Sequence, residues 1–538
     1  MVLAFCQPIR NISFPGRPGR RAYFPTTPIE PPPRKQSSKA IAMQKTIVLY
    51  PGLAVSHFVP MMQLADALLA QGYAVAVALI DLTLDHDAAL AAAVRDAAAS
   101  AKPAVTFHTL PRINNNPPAF TGGGVDFLLW YSEMVRRYNE HLREFLLSST
   151  PPPRSVHAVV VDALSMEALD VAKELGVPGY TFYATNASAL AVFVQLHSIR
   201  AENQPSFREL GDTPLDFRGV PPMPASHLFV EMLEHPESEI YKALMSMMRR
   251  NTNADGILVN TFASLEARAV EALGDPQILF PPGGGGGGGG ERRMMPPVYC
   301  VGPLAAASAA AEAVQDKHEC LAWLDTQPER SVVFLCFGSI GAATHSEEQL
   351  REIAVGLERS GHRFLWVVRA PVLADTARLS PCEPDLDALL PDGFAERTRG
   401  RGLVVKHWVP QVAVLRHKAT GTFVTHCGWN SVLEGIAAGL PMLCWPMYAE
   451  QKMNKVFMVE EARVGVEMVG WKQGTVKAEE VEAKVRLVME SEDGEQLRAR
   501  VAAHRDAAEM AWKDGGSSRA AFAQFLSDVD NIETPCRN

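Results

Sequence analysis

A chain of 538 residues is longer than one hydrophobic core holds, so at least two domains are expected. Hydrophobic content of 47% and charged content of 21% are those of an ordinary globular protein. A diffuse net charge of −9 argues against nucleic acid as a partner, and no apolar run reaches the ~20 residues of a membrane span, which argues against an integral membrane segment.

Residues 1–43 carry seven Lys or Arg against the single acid Glu30, are rich in Pro, and show no helical or strand period, so this extension is expected to be disordered. It reads as an over-extended start with Met43 as the working one. A basic transit segment, and hence a plastid rather than cytoplasmic location, is the alternative.

From residue 46 short apolar runs alternate with helical patterns. Strands are predicted at 46–50, 73–80, 105–109, 158–162, 179–183 and 256–260, with helices at 60–71, 127–147 and 165–175. Apolar strands without period-2 alternation, separated by helices, imply a parallel sheet covered on both faces. This first Rossmann-like domain is assigned to 44–282. Eight consecutive glycines, 283–290, then interrupt the pattern and are followed by Glu-Arg-Arg rather than the Gly-Lys-Ser of a phosphate loop, so 283–297 is expected to be a flexible insertion.

A second alternation, assigned to 298–495, has strands at 331–339, 364–368, 403–408, 422–426 and 442–446 and helices at 347–360 and 431–438. A helical tail, 496–538, follows, broken at 515–518. Eight scattered cysteines form no CxxC pair, in keeping with buried thiols and a reducing compartment.

The most informative stretch is 408–451, WVPQVAVLRHKATGTFVTHCGWNSVLEGIAAGLPMLCWPMYAEQ. A strand, a polar turn and an apolar helix in that order aim free backbone N–H groups at an anion, most simply a phosphate. Around the turn lie an aromatic plate, Trp408; an imidazole, His426; an amide, Asn430; a hydroxyl, Ser431; and a carboxylate, Glu434. A nucleotide uses each of these for stacking, phosphate binding or ribose binding. Glu450 and Gln451 close the stretch with groups suited to sugar hydroxyls.

With W-x-P-Q at its start, H-C-G-W-N-S in its middle and E-Q at its end, this stretch resembles the signature of plant secondary-product UDP-glycosyltransferases. The resemblance implies an α/β fold of the GT-B type: two Rossmann-like doubly wound domains facing across a cleft, with a C-terminal helix returning to the first. It further implies uracil on Trp408, its edge read by the Val409 backbone, and ribose on Gln411 and Glu434. Phosphates would meet His426, Asn430, Ser431 and Ser339 at the turn containing Gly428, and sugar would meet Trp429, Glu450 and Gln451. The closing Gln451 resembles glucose-using members, which makes UDP-glucose the expected donor.

The acceptor oxygen needs a base from the other side of the cleft. His57 follows the first strand, and an imidazole is suited to taking a proton near neutral pH. Asp162, at a neighbouring strand end, would fix its tautomer, although Asp is also a good helix cap. The resembling family uses a His and an Asp at these places, so His57 is expected to be the general base and Asp162 its partner. Ser56 stands where the family more often has Gly, and the family's Thr or Ser sugar contact falls on Ala184 or Thr185.

One base with no carboxylate placed as a sugar nucleophile implies inversion. No metal or other cofactor is called for by this scheme. The triplets Asp85-His86-Asp87, Asp385-Leu386-Asp387 and Asp528-Val529-Asp530 lie away from the signature. The LYPG opening at 49–52 and the VYCVGPL segment at 298–304 resemble the flavonoid, chalcone and anthocyanidin branch of that family, and this resemblance implies O-glucosylation of such a small phenolic, with a monomer expected. Its acceptor pocket is expected around 111–130 and 186–197. A UDP-hexose other than UDP-glucose with another hydrophobic acceptor is the alternative, as is a nucleotide-sugar binding protein without turnover; a dehydrogenase is disfavoured because no GxGxxG follows either first strand.

Overall fold

The computed structural model describes residues 45–80, 88–114, 124–148, 156–199, 204–279, 294–304, 318–338, 345–369 and 383–532. Expectations for 1–43 and for the glycine run therefore fall outside the described residues.

Fifteen strands are described: β1 (Thr46–Tyr50), β2 (Ala74–Leu79), β3 (Val105–Thr109), β4 (Val156–Asp162), β5 (Gly179–Tyr183), β6 (Pro214–Leu215), β7 (Met223–Pro224), β8 (Gly256–Val259), β9 (Val298–Cys300), β10 (Val332–Cys336), β11 (Arg363–Val368), β12 (Gly402–Lys406), β13 (Thr420–Thr425), β14 (Met442–Cys444) and β15 (Gly465–Glu467). Apart from the small β6-β7 hairpin they form two parallel sheets, in the orders β3-β2-β1-β4-β5-β8-β9 and β12-β11-β10-β13-β14-β15. Both orders reverse direction beside the first strand, at β1/β4 and at β10/β13. In open α/β sheets that crevice, at the carboxyl ends of the strands, is where ligands bind.

The period-2 geometry of a strand explains why these runs are apolar throughout. Ile47 and Leu49 of β1 pack into one core, Val48 and Tyr50 into another, on opposite faces of the same sheet. Strand β10 repeats the arrangement, with Val332 and Phe334 on one face and Val333 and Leu335 on the other.

Two elements differ from the sequence reading. Val298–Cys300, expected to lead the second domain, pairs with β8 as the edge strand of the first sheet. Strand β15, too short to show a period, was not anticipated. The helical tail also divides its loyalty: Glu492–Ala511 packs on the second lobe, through Val501, Ala508 and Ala511. Ser517–Asn531 places Phe522, Phe525 and Val529 in the core of the first. Its Asp530 meets Lys45 (2.7 Å), His157 (2.8 Å) and Tyr73 (2.9 Å), and its Asp528 accepts from the Tyr299 hydroxyl (2.6 Å). No helix among the described residues is long and apolar enough to cross a membrane.

Candidate active site

After β1 the chain turns through Pro51–Ala54 into the helix Val55–Ala70, whose N-cap Ala54 is extended and supplies no side-chain cap. His57 therefore sits in the first helical turn, its N–H donating to the Ala54 carbonyl, rather than in a loop beyond the strand. Its ring, 26% exposed, brings Nδ1 within 2.9 Å of Oδ2 of the fully buried Asp162 at the end of β4. The other carboxylate oxygen, Oδ1, accepts from the Leu164 N–H (2.9 Å). Leu164 lies in the turn after β4, and the helical segments that follow, Met166–Ala168 and Leu169–Leu175, have no side-chain cap, so Asp162 is not the helix cap offered as its alternative role: one oxygen holds the turn and the other faces His57.

A carboxylate on Nδ1 fixes the proton there and leaves the Nε2 lone pair as the site that receives a second one. Burial alone lowers the His57 pKa, but the Asp162 charge and hydrogen bond, aided by Glu450, outweigh it and raise the value above the ordinary 6.5. The pair is tightly fitted. A Cβ at Gly52 would fall 2.6 Å from Asp162 Oδ1 and 3.1 Å from the His57 Cβ. Tyr131, buried on the helix Gly124–Ser148, accepts from the Leu53 N–H (3.0 Å) and shares a hydrogen bond with Ser165 (3.0 Å), pinning the turn that carries His57. Sequence reading missed Tyr131, since an aromatic at helical spacing reads as core.

On the other lobe, the chain reverses after β12 at His407, whose φ of 66° is left-handed. Trp408 stands out 58% exposed, with the His318 ring meeting it edge-on at 6.0 Å, while Val409 beside it is buried. Gln411 opens the short helix Gln411–Leu415 and donates through Nε2 to Glu434 Oε2 (2.6 Å) and Ser431 Oγ (3.0 Å). These three polar groups therefore form one network. Ser431, expected at phosphate, is shared with that network.

Gly428 is the N-cap of the helix Trp429–Ala437 and brings no capping side chain, so the helix's first N–H groups are left for an anion. A side chain there has no room: a Cβ on Gly428 or on Gly338 would come within 2.5 or 2.6 Å of His426 Nε2. Burial, reinforced by the Arg369 charge, lowers the His426 pKa to about 4, which makes it a neutral hydrogen-bonding imidazole at pH 7 rather than a cation. Ser339, the remaining phosphate candidate, lies outside the described residues.

Trp429 is 2% exposed, and its indole N–H donates to the Asn260 carbonyl of the first lobe (2.8 Å), so only its backbone is available to a sugar. Asn430 Nδ2 donates to the Ser56 carbonyl (2.7 Å), next to His57. Glu450 accepts from Thr185 Oγ1 (3.3 Å), which brings that hydroxyl to the expected sugar end, and from Asn454 Nδ2 (3.4 Å). Asn454 in turn bonds Asn186 of the first lobe (2.6 Å) and the Cys427 carbonyl (2.9 Å). Gln451 Oε1 accepts from the Met447 and Tyr448 N–H groups, both at 3.0 Å, and so shapes the loop before it.

The helix Ala187–Ile199, expected to line an acceptor pocket, is anchored at its N-terminus by the buried Glu266, which accepts from the Ala187 (3.0 Å) and Ser188 (2.8 Å) N–H groups. Most of it is core. Part of the other expected lining, 115–123, lies outside the described residues. Of the aspartate triplets, 85–87 is likewise outside; Asp385 caps the helix Leu386–Leu389, and Asp528 and Asp530 fasten the tail.

Two doubly wound lobes, one carrying a buried imidazole–carboxylate pair and the other an uncapped helix near an exposed indole and a carboxylate, define a nucleotide-sugar transferase of the GT-B fold. The family model described as UDP-glucoronosyl and UDP-glucosyl transferase matches residues 291–506. Anthocyanidin 5,3-O-glucosyltransferase of a Rosa hybrid cultivar is 37% identical over 89% of this chain and 98% of its own length. Phloretin 2'-O-glucosyltransferase of Pyrus communis is 36% identical over 90% of this chain and 100% of its own. The structure of UGT2 of Phytolacca americana, complexed with UDP-2fluoro-glucose and pterostilbene, superposes with a TM-score of 0.75 at 30% identity, covering 90% of this chain and 100% of that one. The chain belongs to the UDP-glycosyltransferase family.

Proposed function

We propose that this enzyme moves glucose from UDP-glucose to a hydroxyl of a flavonoid-, chalcone- or anthocyanidin-like phenolic, with inversion at the anomeric carbon. The acceptor binds against the first lobe and the donor against the second. The observation that carries the reading is the 2.9 Å His57–Asp162 pair, set at the cleft and joined through the adjacent Ser56 carbonyl to Asn430 of the donor helix. The aromatic acceptors named for the Rosa and Pyrus relatives, and the stilbene bound in the Phytolacca structure, support the acceptor class.

In this reading the acceptor O–H gives its proton to His57 Nε2 as its oxygen forms the bond to the anomeric carbon. The bond from that carbon to the UDP β-phosphate oxygen breaks, its electron pair leaving with UDP. The Asp162 carboxylate holds the imidazolium that results. The N–H groups at the start of the helix Trp429–Ala437, with neutral His426 and Asn430, meet the charge growing on the departing diphosphate, where electrostatic stabilisation has most effect. Trp408 takes the uracil, Gln411 and Glu434 the ribose, and Glu450, Gln451 and the Trp429 backbone the sugar. These protein donors serve the diphosphate without a metal ion.

The test is full-chain turnover of phloretin and cyanidin with UDP-glucose, UDP-galactose and UDP-glucuronate, with the anomeric configuration of the product read by NMR. A β-glucoside formed fastest from UDP-glucose is expected. An α-glycoside, or UDP binding with no turnover of any aglycone, overturns the reading, the latter in favour of a nucleotide-sugar binding protein.

A further inference from the structure

Apart from the pair at His57, a cavity of about 590 Å³ lies between the lobes. Asp212, Ser226 and His227 from the first lobe line it, with Trp445, Lys452, Trp471 and Lys472 among the residues from the second. None of the residues assigned above to base, nucleotide or sugar is among its walls.

Its charge is unbalanced. The ammonium groups of Lys452, Lys455 and Lys472 all lie 5.8–5.9 Å from the centre of the Trp471 ring. Lys455 is paired with Glu467 (3.0 Å), and Lys472 reaches the exposed Asp212 (3.5 Å). Lys452 instead donates to a backbone carbonyl, that of Ser226 (3.3 Å). Burial, and then the neighbouring Lys472 charge, depress its pKa, so its charge is held at a cost that an anion would relieve.

His227 is a second, independent sign. It is only 2% exposed, yet both ring nitrogens lack a hydrogen-bond partner among the described residues. Burial lowers its pKa to about 3, so it offers one neutral N–H and one lone pair. Buried polar groups are normally satisfied, so an unpartnered buried imidazole that lines a cavity marks a place for a ligand's polar edge. One uncompensated ammonium, without the guanidinium fork suited to phosphate, matches a single negative charge; two indoles match a flat ring.

We propose that this inter-lobe cavity is a second small-molecule site that takes an aryl carboxylate, with its carboxylate on Lys452, its ring against Trp445 and Trp471, and its polar edge at His227. The site goes beyond the glycosyl-transfer reading and is tested by binding alone.

The experiment is calorimetric titration of the full chain, saturated with UDP, with trans-cinnamate and with its uncharged counterpart cinnamamide. Cinnamate is expected to bind about tenfold tighter than cinnamamide, and Lys452→Gln to abolish that preference. Asp212→Asn, at an exposed position, is expected to strengthen cinnamate binding about two- to threefold by freeing Lys472. His57→Ala is expected to leave cinnamate binding unchanged. Equal affinities for the two probes, no binding, or loss of binding in His57→Ala would overturn the proposal. If Lys452→Gln does not fold, Asp212→Asn decides, since unchanged or weaker cinnamate binding there is incompatible with the site. Failure of the transferase reading would appear separately, as absent sugar transfer with these affinities intact.

Discussion

Asn430, on the donor-lobe helix, is hydrogen-bonded at 2.7 Å to the carbonyl of Ser56, the residue immediately before His57. The side chain expected to meet the leaving diphosphate is thus also tied to the turn that carries His57, the proposed base. Asn430→Ala should lower kcat about tenfold or more, as loss of one buried hydrogen bond is worth about 0.5–1.5 kcal/mol and misplacement of the base adds to it. Steady-state kinetics beside a UDP titration checks this: an effect confined to UDP affinity would show that the tie to Ser56 does not matter.

His57→Ala should reduce kcat by about 10²–10⁴-fold, the usual worth of a general base, with UDP affinity nearly unchanged. Asp162→Asn should also be severe, because an amide can no longer hold the imidazolium and can present the wrong tautomer. Single-turnover rates at saturating donor separate these losses from binding.

The pH profile follows from the same pair. With its pKa raised by Asp162 and Glu450, His57 is protonated, and useless as a base, below a midpoint above the ordinary 6.5. Activity should therefore fall as pH drops through that midpoint. Removing the carboxylate destabilises the protonated ring, so in Asp162→Asn the residual activity should lose its acid limb at lower pH. The kcat/KM profile for the acceptor measures both; an acid limb that stays in place would break the link between Asp162 and the base.

Two glycines should fail in different ways. A methyl at Gly52 collides with Asp162 Oδ1, so Gly52→Ala should lower kcat with little change in UDP binding. At Gly428 the collision is with His426 Nε2 beside the helix N-terminus, so Gly428→Ala should weaken UDP about tenfold or more. Calorimetry with UDP and a rate assay on each variant distinguish them.

Much of this was legible in the chain because local rules and tertiary structure agree. Uniformly apolar runs became parallel strands buried on both faces, and the strand-turn-helix at 420–437 fell where the turn residues implied. Departures occur where the decisive partner is distant in sequence. Nothing near Trp429 announces that Asn260 takes its indole N–H, and nothing near Asp162 says that one oxygen faces Leu164 and the other His57. Tyr131 and Glu266 were invisible for the same reason: an aromatic on an amphipathic helix and an acid after a strand carry no sign of the backbone amides they hold. Strand β9 was misplaced because three apolar residues do not reveal which sheet edge they join.

The last helix, Ser517–Asn531, belongs by its packing to the lobe the chain left more than two hundred residues earlier. A chimera that pairs this acceptor half with a foreign donor half therefore needs two junctions, one beyond β9 and another between Ala511 and Ser517. Exchanging everything downstream of a single splice would strip Phe522, Phe525 and Val529 from the wall they cover and expose it to water.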